Sequence, residues 1–123
     1  MSLMRISTGK KGEELAAAYL EEAGYRIIER NYRCLFGEID MVAEEGETLV
    51  FVEVKSRRSD AYGDPQLAVG PQKQKKMSRI SLHYLSEHHL RHRLARFDVV
   101  AVKLLPAGNR IELIRNAFES AFG

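Results

Sequence analysis

Thr48-Leu49-Val50-Phe51-Val52-Glu53-Val54-Lys55-Ser56 is rich in β-branched and aromatic residues and contains no Gly or Pro, the composition of a strand. Successive side chains of a strand point to opposite faces, so Val50, Val52 and Val54 share one face and Leu49, Phe51, Glu53 and Lys55 the other. Apolar residues on both faces through Phe51 predict a central strand. An acid and a base then stand side by side in a segment built for the interior. The same i, i+2 spacing also suits a solvated Glu-Lys pair on an exposed face, so spacing alone leaves both readings open.

Working outward, Glu45-Gly46 reads as a hairpin turn that joins this strand to an earlier one over 37–44. A two-residue turn there sets Val42 opposite Leu49, Asp40 opposite Phe51 and Glu38 opposite Glu53. Asp40 is then diagonal to Glu53 on one face, with backbones roughly 7 to 8 Å apart. A three-residue turn would reverse the parity and separate the acids.

Upstream, Thr8 is a candidate N-cap, and Leu15, Ala16, Tyr19, Leu20 and Ala23 recur at helical spacing until Gly24, which suits the C′ position of a helix over 8–23. Residues 25–34 read as a partly exposed strand. Downstream, Arg57 to Val69 contains Ser59, Asp60, Gly63, Asp64 and Pro65 and has neither periodicity, which predicts a loop able to move over a site. Pro71 opens a helix over 71–88, with Met77, Ile80, Tyr84 and Leu85 as its apolar stripe. Two further strands, 96–103 and 110–118, flank Pro106-Ala107-Gly108-Asn109. The expected order is helix, three strands, helix, two strands.

A chain of 123 residues fits one domain, 1–123, with a central sheet and covering helices. Met1 to Leu3 ahead of a second Met read as a cloning remnant and are set aside. No apolar run approaches the ~20 residues that span a bilayer, so no membrane role is expected. The lone Cys34 excludes an intrachain disulfide, in keeping with a reducing, cytoplasmic setting, and lacks the His and acid that would make it a nucleophile. The net charge of +2 is too small to signal nucleic-acid binding. Its distribution is uneven: acids gather at Glu13, Glu14, Glu21, Glu22 and at Glu44, Glu45, Glu47. Bases gather at Arg57, Arg58, at Lys73, Lys75, Lys76, Arg79, and at Arg91, Arg93, Arg96. Convergence of the basic segments on one face would bind phosphates. Solvated faces would look the same in sequence.

Two converging carboxylates repel each other unless a cation lies between them. Mg²⁺ takes oxygen ligands, commonly one or two carboxylates plus waters and phosphate oxygens, and can activate water. Lys55 beside such a pair would position or deprotonate the water, or neutralise charge on the phosphoryl group. His88 and His92 have i, i+4 spacing, but no Cys or acid cluster completes a zinc set around them.

The segments Gly9-x-x-Gly12-Glu13, Gly37-Glu38-Ile39-Asp40, Phe51-Val52-Glu53-Val54-Lys55-x-Arg57 and Arg96-Phe97-Asp98-Val99, in this order, closely resemble the YraN family of small bacterial proteins. That family looks like a branch of the PD-(D/E)XK nuclease superfamily, related to archaeal Holliday junction resolvases and restriction endonucleases. The resemblance implies an α/β fold with a restriction-endonuclease-like αβββαβ core, a central mixed sheet flanked by helices. It also implies Asp40 as the motif aspartate, Glu53 and Lys55 as the Glu-x-Lys pair, and Glu13 as the helix-borne acid completing a Mg²⁺ (or Mn²⁺) site. Ile39 stands where many members of the superfamily have proline, a departure known from resolvase-like branches. Glu13 alone would otherwise read as a dipole-favoured acid in a first helical turn.

The function expected on this resemblance is metal-dependent endonuclease action on DNA, branched or otherwise structured DNA included. Nucleic acid is expected at Arg57, Arg58, Lys73, Gln74 and Lys76, and a homodimer by analogy with resolvases. Lys73 lies in line with Met77, Ile80 and Tyr84, so it can face the sheet; a solvated basic turn would have the same spacing. The alternative is a nucleic-acid-binding or adaptor module that kept the nuclease fold without cleavage. Asp98, two residues after Arg96, reads as half of a structural ion pair.

Overall fold

The computed structural model describes residues 8–59 and 69–122. Helix α1 (Thr8–Glu22) leads into an antiparallel meander of β1 (Arg26–Cys34), β2 (Gly37–Glu45) and β3 (Thr48–Arg57). Helix α2 (Pro71–Glu87) then crosses over to β4 (Ala95–Leu105), which turns back as β5 (Gly108–Phe118). The strands form one mixed sheet in chain order, with β3 parallel to β4 and every other pairing antiparallel. This is the α/β, restriction-endonuclease-like αβββαβ core, with β3 at the centre. The part of the expected loop over 60–68, and Met1 to Leu3, lie outside the described residues.

Helix boundaries follow local chemistry. Gly24 adopts φ 99°, and the Tyr25 amide donates to the Leu20 carbonyl at 2.9 Å, closing the C-terminus of α1 with the left-handed residue that glycine supplies cheaply. Pro71 opens α2, where an amide hydrogen would have had no helical partner.

Each helix covers one face of the sheet. Val50, Val52, Val100, Val102 and Leu104 pack under Ala16, Ala17 and Leu20 of α1. Leu49, Phe51, Phe97, Val99 and Ile114 pack under Met77, Ile80, Tyr84 and Leu85 of α2. Glu53 and Lys55, in phase with Phe51, therefore belong to the α2 face. Helix α1 comes unusually close to β3: a Cβ on Gly12 would lie 1.7 Å from Ser56 Oγ and 2.8 Å from Ser56 Cβ. Only glycine permits that approach, and it sets the position of Glu13, the next residue.

The β2–β3 turn differs from the sequence expectation. Its two loop residues are Gly46 and Glu47, since Glu45 pairs with Thr48. Gly46 has φ 60°, which a primed hairpin turn requires at its first loop position. Glu45 stays in the strand, where its carboxylate meets Arg96 at 2.6 Å and Arg115 at 3.0 Å. The register moves by two residues, so Val42 lies opposite Phe51 instead of Leu49, and parity is kept. Strand β5 likewise begins two residues early, at Gly108, leaving Pro106 and Ala107 as the loop.

The end of the sheet near the start of β4 is locked by buried charge. Asp98, fully buried, accepts Tyr25 Oη at 2.7 Å, Arg96 Nε at 2.9 Å and the Asn116 backbone amide at 2.9 Å. Asn116 takes φ 51° where the β4–β5 register shifts, so one carboxylate holds the irregularity of β5 and ties it to the strand leaving α1. Asp98 is thus structural, as its spacing from Arg96 implies. Removing one partner of a buried ion pair strands the other, so Asp98→Ala is expected to lower unfolding free energy by about 3 to 5 kcal/mol. Tyr25→Phe, which deletes the hydrogen bond donated to Asp98 and the one accepted from Arg96 but leaves the Arg96–Asp98 pair in place, should cost less, about 2 kcal/mol. Urea unfolding of the two variants checks the order; equal costs would contradict the assignment.

Candidate active site

The β2–β3 ladder runs from Glu45–Thr48 to Met41–Val52 and no further. Beyond it β2 continues along β1 as far as Gly37, and β3 continues along β4 as far as Arg57. The sheet forks between them. At the fork the Val54 amide, which would have paired with β2 backbone, donates instead to Asp40 Oδ2 at 2.7 Å. A buried amide needs an acceptor, and the carboxylate supplies it while turning its own strand away. The side-chain alternation of β2 slips here too, since Ile39 and Val42 pack into the same core beneath α2.

The fork gathers acids. Glu53 is buried just past the last ladder pair, within the electrostatic reach of Asp40. Burial, and then the Glu53 carboxylate, push the Asp40 carboxyl up to about 7, against the lowering effect of the Val54 hydrogen bond; Glu13 adds to the rise. Glu13 is itself raised, first by burial, with Glu38, Glu53 and Glu14 adding to it and Arg30 opposing. Two lysines answer this charge at Glu53 Oε2: Lys73 Nζ at 2.9 Å from α2 and Lys55 Nζ at 3.9 Å from β3 itself.

Asp40, Glu53, Lys55 and Lys73 are therefore brought together, with Glu13 facing the group from α1. Among the described residues no three His, Cys, Asp or Glu side chains close on a single point. The expected trio is a tight pair, Asp40 and Glu53, plus a third acid standing back on α1. That donor set fits Mg²⁺ or Mn²⁺: two carboxylates and a nearby acid leave the remaining positions to waters and phosphate oxygens, the usual arrangement for these hard ions. Burial first and then the Glu53 carboxylate raise the proton affinity of Asp40, and such an ion would relieve the repulsion between the two. The histidines make no comparable group: His88 stacks on Tyr84 with centroids 4.1 Å apart, and His83 meets the edge of Phe36.

The basic residues expected at nucleic acid have diverse fates. Arg57 is half-buried and donates to the Ser56 carbonyl at 3.2 Å, and exposed Arg58 donates to Thr8 Oγ1 at 2.6 Å. Lys76 is exposed, its stem lying against Gly37 at the start of β2. Gln74 turns back to the Val69 carbonyl at 2.9 Å and serves the first turn of α2. Arg93 and Arg96 are neutralised far from the fork, by Glu44 and by Glu45 with Asp98. Glu38, expected opposite Glu53, instead pairs with Arg33 of β1 beyond the end of the β2–β3 ladder, and its field reaches Glu13.

Residues 12–102 match the Uncharacterised protein family UPF0102. The chain belongs to the UPF0102 (YraN) family. A UPF0102 protein of Syntrophus aciditrophicus is 68% identical over 118 residues, which cover 96% of this chain and 93% of that protein. A UPF0102 protein of Geobacter sulfurreducens is 56% identical over 115 residues, 93% of this chain and 90% of the relative. One from Moorella thermoacetica is 47% identical over 122 residues, 96% and 100% of the two chains. The UPF0102 match takes in the whole candidate site, from Glu13 to Lys73.

The pH dependence of stability reports on the fork. In the unfolded chain Asp40 loses its proton near its ordinary value of 3.8, whereas in the fold it keeps the proton up to about 7. Between these limits the folded state binds the extra proton, so raising the pH favours unfolding, and the whole penalty is present above pH 7. Metal-free protein is therefore expected to lose stability from pH 5 to pH 8, by on the order of 2 to 4 kcal/mol. Asp40→Asn should flatten that dependence, and Mg²⁺ at pH 8 should raise the melting temperature of the parent only. Thermal melts across pH check both; parallel curves for parent and variant would contradict the charge crowding described.

Proposed function

We propose that this member of the UPF0102 family is a metal-dependent endonuclease hydrolysing phosphodiester bonds of DNA. The supporting observation is the constellation at the fork: buried Glu53 beside half-buried Asp40, two carboxylates in each other's field, with Lys73 and Lys55 converging on Glu53. The Asp98 network at the opposite end of the sheet is different in kind: there the carboxylate is met by the Arg96 guanidinium, the Tyr25 hydroxyl and the Asn116 amide.

The roles follow from position. Asp40 and Glu53 would hold the divalent ion, with Glu13 reaching it directly or through water; once bound, the ion supplies neutralisation of phosphoryl charge and a water of lowered pKa. Asp40 is oriented by the Val54 amide, which holds it beside the Glu53 carboxylate. Lys55, on the same strand face as Glu53 with its ammonium 3.9 Å from that carboxylate, would position an attacking water or neutralise charge on the scissile phosphate. Lys73, closer to Glu53 than Lys55 is, holds that carboxylate in the absence of other cations and reaches the phosphate side from α2. Aspartate, glutamate and lysine thus divide metal holding from charge neutralisation.

Cleavage of linear, flapped and four-way DNA in Mg²⁺ or Mn²⁺ tests the reading directly. Parent protein is expected to nick or cut at least one of these. Asp40→Asn and Lys55→Ala should each lower the rate by about 10²-fold or more while leaving DNA binding within a few-fold. Equal cutting by the variants, or no cutting of any substrate, would reject catalysis at the fork and leave a binding module on the same fold.

A further inference from the structure

Strand register carries positive charge away from the fork across the sheet. On the α2 face, the row after Glu53–Val99–Ile114 is Lys55–Ala101–Glu112, and the row after that is Arg57–Lys103–Arg110. The parity is fixed by neighbours: Phe51, Phe97, Val99 and Ile114 lie in the core beneath α2, in phase with these positions. The core packed against α2 ends at the Val99–Ile114 row. Ala101, Lys103, Arg110, Ile111 and Glu112 line a shallow hollow beyond it. Lys103 is half-exposed and Arg110 exposed. Each of three adjacent strands thus contributes one cation to a single line, and the line begins two residues from Lys55.

We infer that Arg57, Lys103 and Arg110 form a track for the phosphate backbone of a nucleic acid whose scissile phosphate lies at Lys55. Adjacent strands are about 4.8 Å apart, so the three α-carbons span about 10 Å. A nucleic-acid strand carries one charge per roughly 3.4 Å of helix axis, so three cations over that span match about three consecutive phosphates. The site itself is rich in acid and repels a phosphate backbone until cations arrive, so purchase on the flanking phosphates has to come from nearby positive charge. Among the described residues Glu112 is the one acid lining the hollow, beside Arg110 on β5, and it opposes the track at its outer end. Ala101, between Lys55 and Glu112, is small and leaves the hollow open. Nothing in the linear sequence joins these residues: Lys103 and Arg110 fall outside every basic cluster and become neighbours of Arg57 only through β3–β4–β5 pairing.

This track rests on the nuclease reading of the fork, and one experiment separates the two. Binding of the full chain to fluorescein-labelled duplex DNA is measured in EDTA, where no cutting occurs, over a range of NaCl concentrations. The double variant Lys103→Gln/Arg110→Gln is expected to bind about 10-fold more weakly or worse at moderate salt. Its slope of log affinity against log salt should fall by about 2, near 0.9 for each phosphate no longer neutralised. Lys103→Arg/Arg110→Lys should restore parental slope and affinity, and Glu112→Gln should tighten binding. Salt-dependent binding by the parent with an unchanged slope in the glutamine variant would overturn the track and leave the fork reading standing. Absence of any salt-dependent binding by the parent would overturn both.

Discussion

One hydrogen bond organises the working end of this protein. When the Val54 amide is taken by the Asp40 carboxylate, β2 and β3 stop pairing and the sheet opens into a fork. The amide is satisfied, as a buried donor must be, yet by an ionisable group in place of a carbonyl. Everything at the site follows from that exchange. Glu53 loses its cross-strand neighbour and faces a carboxylate, Lys73 is drawn in from α2 to 2.9 Å, and α1 approaches over Gly12 to bring Glu13 to the opening.

The two ends of the sheet treat charge in opposite ways. Near the start of β4, Asp98 is surrounded by donors, and Arg96, Arg115, Glu45 and Tyr25 balance one another, so burial is compensated and the strands are tied down. At the fork the lysines reach Glu53, while burial and the facing Glu53 carboxylate drive Asp40 toward the protonated state. A fold that can complete an ion network at one end and leaves the other incomplete stores instability where a ligand can relieve it. A divalent ion between Asp40 and Glu53 would supply that relief.

Much of this is legible in the chain. Alternation around Phe51 marks β3 as central, Gly24 and Pro71 mark helix boundaries, and the stripe of Met77, Ile80 and Tyr84 puts Lys73 on the face toward the sheet. Parity places Asp40 and Glu53 on one side, but local pattern sets the turn one residue early, because Glu45-Gly46 and Gly46-Glu47 are equally short. What separates them is the pairing of Glu45 with Arg96 and Arg115, partners far along the chain that no local pattern contains. The fork is illegible for a related reason: a ladder that stops leaves no mark on periodicity. The local use of Gln74, bonding the Val69 carbonyl, is likewise something that charge and motif do not register.

Central to this account is a divalent-cation site formed by Asp40 and Glu53. Anomalous diffraction from crystals of the full chain soaked in Mn²⁺ at pH 8 addresses it without any assumption about substrate. A single strong Mn²⁺ peak between the Asp40 and Glu53 carboxylates, with Lys73 displaced from Glu53 and no peak in Asp40→Asn crystals, is the predicted result. A fork that stays free of Mn²⁺ with Lys73 still on Glu53 would contradict the account.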